Sequence, residues 1–285
     1  MVITPAQNEA AYLGQTIDSL TAQTLLPQEW VIVDDGSVDE TFQIAQQAAR
    51  TQPWIKVVQR GPAKSRRLGA GVVEAFDFGL RQVSRRDYTF IFKIDADIVL
   101  GPRYFQTILS KFTENPRLGV ATGVVYQLME GREVKTRWLP LGVAGAVKCW
   151  RRQCFEEIGG LVPGLAWDGI DSFEALRLGW QAQTFEDPEL KVWHLRPEGS
   201  SVKSRSRGWV RRGQAMHFVG AHPLWVWASA FYHMAERPFI LGGICMLLGY
   251  LGAFLQRAPR YENLAFRRFL RRWQLKYLAG SLRLA

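Results

Sequence analysis

Two carboxylates one residue apart, Asp95 and Asp97, close the apolar run Tyr88-Thr-Phe-Ile-Phe-Lys-Ile-Asp-Ala-Asp-Ile-Val-Leu100. Residues i and i+2 of a strand share a face, so both side chains can turn toward one hard divalent cation as the chain leaves the sheet. Mg²⁺ and Mn²⁺ favour oxygen ligands and commonly keep waters and substrate phosphates in their shells. The pair therefore reads as a handle for a metal and a diphosphate. Acidic pairs also cap helices and fill turns, and context separates the two uses. About sixty residues earlier a second apolar run, Glu29-Trp-Val-Ile-Val-Asp-Asp-Gly-Ser37, also stops at two acids, Asp34 and Asp35. Two strands of one parallel sheet that end in carboxylates at the same edge build a site there.

The elements that must position these acids follow from periodicity and breakers. Val2-Ile3-Thr4 reads as a short strand cut by Pro5. Asn8 and Glu9 then precede an amphipathic stretch with Leu13, Ile17, Leu20 and Leu25 on compatible faces. Trp30 to Val33 is a second strand, and Thr41 to Arg50 reads as a helix with Ile44 and Ala48 turned inward. A third strand covers Ile55 to Val58, a helix Leu68 to Val83, and the strand Thr89 to Ile94 delivers Asp95 and Asp97. Such alternation predicts a mostly parallel sheet covered on both faces, with ligands at the carboxyl ends of its strands. Beyond Asp97 come a helix at Tyr104 to Phe112, a strand at Gly119 to Tyr126, an irregular stretch to Gly145, a strand at Ala146 to Trp150 and a helical turn from Gln153 to Ile158. Phosphate-suited features are fewer in this half, which is the natural place for an acceptor.

With 285 residues, 47% of them apolar, the chain is long enough for one large domain or one domain with an appendage. Cys149, Cys154 and Cys245 form no ligand-spaced cluster and no even set, which points to buried thiols in a reducing compartment. Met1-Val-Ile-Thr-Pro lacks a basic region followed by an apolar core, so it does not read as a secretory signal, and Met1 stands almost on the first strand, which leaves room for residues upstream. The formal charge of +10 is unevenly spread: residues 200–285 hold 14 Lys or Arg against Glu236 and Glu262, a local balance of +12 that leaves the first 199 residues near −2. A basic tail serves nucleic acid, an anionic membrane or an acidic substrate. Here it flanks two apolar stretches, Phe218 to Ala235 and Pro238 to Gln256, which favours lipid over nucleic acid.

Val2-Ile-Thr-Pro-Ala-Gln-Asn-Glu9, Val33-Asp-Asp-Gly-Ser-Val-Asp-Glu-Thr41 and Ile94-Asp-Ala-Asp97, in this order and spacing, resemble the family 2 inverting glycosyltransferases of the GT-A fold. Val147-Lys-Cys-Trp-Arg-Arg-Gln-Cys-Phe-Glu-Glu-Ile-Gly-Gly160 is similar to that family's acceptor-side segment. Trp167-Asp168, with Arg177 and Gly179, resembles its Glu-Asp-x-Asp-Leu helix, although Trp167 replaces the expected Glu and Asp171 lies three residues on rather than two. The likeness covers roughly residues 1–200. It implies a UDP or GDP sugar as donor, a divalent metal (Mn²⁺ or Mg²⁺), a saccharide or lipid-linked acceptor, and inversion at the anomeric carbon.

By this resemblance Pro5, Asn8, Glu9 and one of Asp34 and Asp35 belong to the nucleoside-facing loops, Asp95 lies on the sugar or ribose side, and Asp97 holds the metal with His194 completing its shell. Asp168 takes the role of general base, with Asp171 or a purely structural cap as alternatives. Lys64, Arg66 and Arg67 precede a helix, where cations oppose the helix dipole unless an anion is present. Arg66 is therefore a candidate diphosphate contact, against a solvated basic face.

Gly208-Trp-Val-Arg-Arg-Gly213 resembles the basic gating loop of some family members, but the Gln-x-x-Arg-Trp pattern of processive synthases is missing, which favours transfer of one sugar. Sugar-phosphate nucleotidyltransfer would need a Gly-rich basic loop after the first strand, and Pro5-Ala-Gln-Asn8 is not one. A catalytically inactive membrane scaffold is the other reading, and the acids at 95, 97 and 168 with His194 argue against it. Pro238 to Gln256 nearly reaches the ~20 residues of a spanning helix. A single span would put basic runs on both sides of the bilayer, against the positive-inside rule. The expectation is a GT-A domain over residues 1–200, with a donor half to 98 and an acceptor half beyond, and a C-terminal region 201–285 that re-enters or lies on the cytoplasmic face of the membrane, with a buried helical hairpin in a soluble protein as the alternative.

Overall fold

The computed structural model describes residues 1–61, 69–129, 132–136, 143–196, 205–235 and 239–282. The chain divides into two compact units, Met1–Glu198 and Gly199–Ala285.

In the first unit β1 (Val2–Ala6), α1 (Leu13–Thr21), β2 (Trp30–Asp34), α2 (Thr41–Thr51), β3 (Ile55–Gln59), α3 (Ala70–Gln82) and β4 (Phe90–Ile94) alternate as the sequence predicts. They are followed by β5 (Ile98–Leu100), α4 (Tyr104–Glu114), β6 (Leu118–Gly123), β7 (Val125–Met129), β8 (Arg132–Lys135), β9 (Val147–Arg151), α5 (Arg152–Glu157), α6 (Trp167–Arg177), β10 (Gln181–Phe185) and β11 (Val192–His194). Seven strands form one sheet in the order β10-β6-β9-β4-β1-β2-β3, in which β9 runs antiparallel to its neighbours β4 and β6. A second sheet has the order β5-β11-β7-β8.

Both faces of the large sheet are buried, which is why β1 and β2 read as unbroken apolar runs. Val2, Trp30 and Ile32 face a layer containing Leu13, Leu20, Tyr104, Ile108 and Phe112, whereas Ile3, Val31 and Val33 face Val73, Phe76, Trp150 and Phe155. Each fully buried Leu, Val or Phe stabilises the fold by about 1.5–3 kcal/mol relative to exposure. Burial pushes the Cys149 thiol well up and that of Cys154 up to about 12, so both are idle core residues.

Several boundaries differ from expectation. β1 continues through Pro5 to Ala6, with Pro5 opposite Val33. The strand expected from Gly119 to Tyr126 is two strands in different sheets, broken after Gly123, where a Cβ would run into the Leu190 carbonyl. Leu25 lies outside α1 and is exposed. The helix expected from Leu68 is described from Ala70, because residues 62–68 lie outside the described residues.

The second unit is helical: α7 (Arg205–Phe218), α8 (Pro223–Met234), α9 (Ile240–Leu255) and α10 (Leu264–Leu282). Gly208 to Gly213, expected as a loop, is the middle of α7. Gly213 backs onto the Met246 carbonyl and Gly249 onto the Val210 carbonyl, so α7 and α9 cross at backbone contact where a Cβ on either glycine would collide. The opposite side of α9 is open: Ile240, Leu241, Ile244, Leu248, Leu251 and Leu255 are all exposed. Among the described residues no helix is long and apolar enough to cross a membrane.

Candidate active site

Parallel pairing delivers the candidate residues to one sheet edge. Ala6 lies opposite Asp34 and Asp34 opposite Gln59, so β1, β2 and β3 end level. Asp34 is buried and accepts hydrogen bonds from the Ser37 N–H at 3.2 Å and Gln59 Nε2 at 3.1 Å. Arg60 Nε donates to Asp35 Oδ1 at 2.6 Å, and its Nη1 to Glu74 Oε2 at 2.9 Å. Asn8 adopts the left-handed region at φ 56° and ties this loop down: its N–H donates to Ser37 Oγ at 2.9 Å and its Oδ1 accepts from the Val38 N–H at 2.9 Å. Asn tolerates this conformation better than most residues. Arg66, with Lys64 and Arg67, lies outside the described residues.

The second cluster forms where the two sheets meet. β11 pairs antiparallel with β5, placing His194 opposite Ile98, and the Leu195 N–H donates to the Asp97 carbonyl at 2.9 Å. His194 Nε2 then lies 3.0 Å from Asp97 Oδ2. Arg196 Nε lies 2.6 Å from the same oxygen, and its Nη2 donates to Glu9 Oε1 at 2.7 Å. Glu9, Asp97, His194 and Arg196 thus converge from opposite ends of the unit. Asp95 has a different cation for partner: its Oδ1 accepts from Lys93 Nζ, which also donates to the Gly145 carbonyl at 2.7 Å.

The electrostatics follow from burial. Burial raises the Glu9 and Asp95 carboxyls against the pull of Arg196 and Lys93, and neighbouring acids add to the rise. Burial acts the same way on Asp97, yet the hydrogen bond and charge of His194, together with Arg196, hold it below the ordinary carboxylate range. Among the described residues three carboxylates, Glu9, Asp95 and Asp97, stand against the cations Lys93 and Arg196, and the buried Glu9 Oε2 has no hydrogen-bond partner.

That surplus of acceptor oxygen is what a cation would relieve, and Asp97 with His194 is a carboxylate and imidazole pair of the kind Mn²⁺ accepts. Asp95 is paired with Lys93, two residues before it, whereas Asp97 is paired with His194 and Arg196. Among the described residues no three His, Cys, Asp or Glu side chains gather as a metal cage. The residues present fit a cation that takes two protein donors and leaves most of its shell to other oxygen ligands.

Asp168 stands in the first turn of α6, where a carboxylate is favoured by the helix dipole. It packs over Gly145: a Cβ on that glycine would lie 2.9 Å from Asp168 Cβ and 3.2 Å from its Oδ2. Asp171 is placed differently. It is buried, accepts from Lys148 Nζ at 2.6 and 2.8 Å and from Trp150 Nε1 at 2.9 Å, and burial raises its carboxyl. Its acceptor capacity is spent on the core of the unit. Sequence reasoning missed Lys93, Lys148, Arg60 and Arg196. Lysines inside apolar strands were the signal for the first two, and the two-residue step from His194 to Arg196 for the last.

A family model described as "Glycosyl transferase family 2" matches residues 1–180. The chain belongs to glycosyl transferase family 2. Within the family it is 23% identical over 247 residues to a poly-beta-1,6-N-acetyl-D-glucosamine synthase of Staphylococcus epidermidis, a match covering 76% of this chain and 54% of that protein. The chain thus spans about half the length of that relative. A solved mannosyltransferase of Pyrobaculum calidifontis, in complex with GDP-Man and Mn²⁺, superposes with a TM-score of 0.56 at 18% identity, covering 100% of this chain and 80% of that one. TarS of S. aureus, residues 1–349 with UDP-GlcNAc, gives 0.56 at 17% identity over 90% of this chain and 72% of that one. The fold is therefore shared with these two solved proteins, an α/β architecture with a mostly parallel central sheet.

Proposed function

We propose that this family 2 member transfers a single sugar from a UDP or GDP sugar to an acceptor hydroxyl, with inversion at the anomeric carbon. The observation that carries the reading is the convergence of Asp97, His194 and Arg196 at the strand edge that also holds Asp34 and Asp35. In this reading one of Asp34 and Asp35 binds the nucleoside, their carboxylates held in place by Gln59 and Arg60. Asp97 and His194 hold a divalent cation, which when bound neutralises charge on the departing diphosphate. Arg196 keeps Asp97 ionised and oriented. Asp95 faces the sugar or ribose, fixed by Lys93. An acceptor hydroxyl has a pKa far above 7 and needs a base as it attacks from the face opposite the leaving group. Asp168 takes that proton.

Membrane attachment belongs to the same proposal. The exposed apolar stripe of α9 and the exposed cations Arg268, Arg272 and Lys276, spaced four residues apart on α10, support an interfacial seat on the anionic cytoplasmic leaflet. Such a seat suits a lipid-linked or membrane-proximal acceptor for cell-surface glycan synthesis.

The deciding experiment is binding of UDP and GDP to the purified protein with and without Mn²⁺, repeated with Asp97→Ala. Metal-dependent binding that disappears in the variant is the expected result. Absence of binding to either nucleotide with any divalent metal would refute the transferase reading.

A further inference from the structure

Lys93 of β4 and Lys148 of β9 are direct partners across an antiparallel pair, so their side chains leave the sheet on the same face. Both are buried, with side chains 1% and 0% exposed. Like charges directly opposite each other are destabilising, and removing an ammonium from water is costly. A fold keeps such a pair only where surrounding groups offset that cost. The ring of Trp167 lies 4.9 Å from Lys93 Nζ and 5.8 Å from Lys148 Nζ, a cation–π contact with each.

The remaining partners lie at the site itself. Lys93 donates to Asp95 Oδ1 and to the Gly145 carbonyl, and the Asp95 N–H donates to the Ala146 carbonyl at 2.9 Å. Lys148 donates to the Asp168 carbonyl, to Asp171 and to Ser172 Oγ at 3.1 Å. Gly145, held from one side by Lys93, carries no Cβ, and the Asp168 side chain and Trp167 Cζ2 occupy the space one would fill. A short path therefore runs from the donor-side carboxylate through Lys93 and Gly145 to the side chain of Asp168, while Lys148 holds that residue's backbone.

Resting on the transferase reading above, we propose that Lys93 and Lys148 are positioning residues that set Asp168 at a fixed distance from Asp95, with Gly145 as the contact between them. The tryptophan at 167, where the family pattern expects Glu, serves as the apolar plate that lets both cations stay buried.

Gly145→Ala tests this, because it touches neither lysine nor either carboxylate chemically and displaces Asp168 by the space of one methyl. The variant is expected to bind UDP or GDP in the presence of Mn²⁺ within about twofold of wild type, and to release nucleotide from UDP-GlcNAc or GDP-mannose at least tenfold more slowly at saturating donor. Its crystal structure is expected to show the Asp168 carboxylate moved away from Asp95. Lys93→Met is expected to lower the same turnover and to move Asp168 likewise. An Asp168 carboxylate that stays in place in Gly145→Ala crystals overturns the proposal, as does wild-type turnover in that variant. Failure of wild type to bind either nucleotide would instead strike the transferase reading, and the crystal comparison would still decide the positioning.

Discussion

Replacing Lys148 with Met probes the buried lysine pair through stability alone. Lys148 is fully buried and its main counter-charge, Asp171, is 1% exposed, so removing the ammonium strands a carboxylate that, among the described residues, keeps hydrogen bonds from Trp150 and from the Ser172 N–H and hydroxyl. Breaking such a pair from one side costs about 3–5 kcal/mol. For the unit Met1–Glu198, at about 2–4 °C per kcal/mol for a domain of this size, Tm falls by roughly 6–20 °C. The penalty carries a pH signature. Burial already raises the Asp171 carboxyl above its unfolded value, and loss of Lys148 raises it further. The folded state then binds the proton more tightly than the unfolded state, so stability rises as pH falls from the folded value toward the unfolded one. The deficit of Lys148→Met relative to wild type should therefore shrink between pH 8 and pH 5. Thermal melts followed by circular dichroism at both pH values measure this. Lys148→Met/Asp171→Leu should recover most of the loss, since an apolar replacement of both partners is often neutral. A Tm drop below about 3 °C, or a double variant no more stable than the single one, would refute the reasoning.

Three further outcomes follow from other sites. Gly79→Ala would place a Cβ 2.6 Å from Val33 Cγ2 and 2.8 Å from Ile3 Cγ2, and overpacking of this kind should cost about 1–3 kcal/mol in urea unfolding. His194→Ala should weaken Mn²⁺-dependent nucleotide binding without abolishing it, because Asp97 keeps Arg196; calorimetric titration that shows unchanged Mn²⁺ dependence would remove His194 from the metal set. The change Leu248→Ser/Leu251→Ser/Leu255→Ser should release the protein from phosphatidylserine vesicles in flotation assays, whereas equal flotation of this variant and wild type would show that α9 is not the anchor.

The fold was legible because its signals are local. The apolar runs around Trp30 to Val33 and Phe90 to Ile94 announce strands buried on both faces, and Leu13, Ile17 and Leu20 mark the inner face of one helix. The acids at 34, 35, 95 and 97 could be placed at one edge from parallel pairing alone. What escaped was decided by tertiary contact. The break after Gly123 depends on the Leu190 carbonyl, which is distant in sequence. Gly208 to Gly213 looks like a loop until Gly213 is seen to admit the backbone of α9. The partner of Asp95 is Lys93, whose charge in an apolar strand was visible but whose contacts were not.

The geometry at Asp97 shows why no single stretch of this chain can be read as the site. Three antiparallel pairs of residues, Leu100 with Val192, Val99 with Trp193 and Ile98 with His194, carry the C-terminal end of the first unit back to the strand edge. Without that short pairing the imidazole and Arg196 would have no fixed relation to the carboxylate. Asp97 in turn anchors the return through its own carbonyl, which accepts the Leu195 N–H at 2.9 Å. The same residue is thus a backbone clasp and a side-chain acceptor. Removing its carboxylate leaves the clasp intact, so a folded Asp97→Ala protein isolates the chemistry of the side chain from the architecture that presents it.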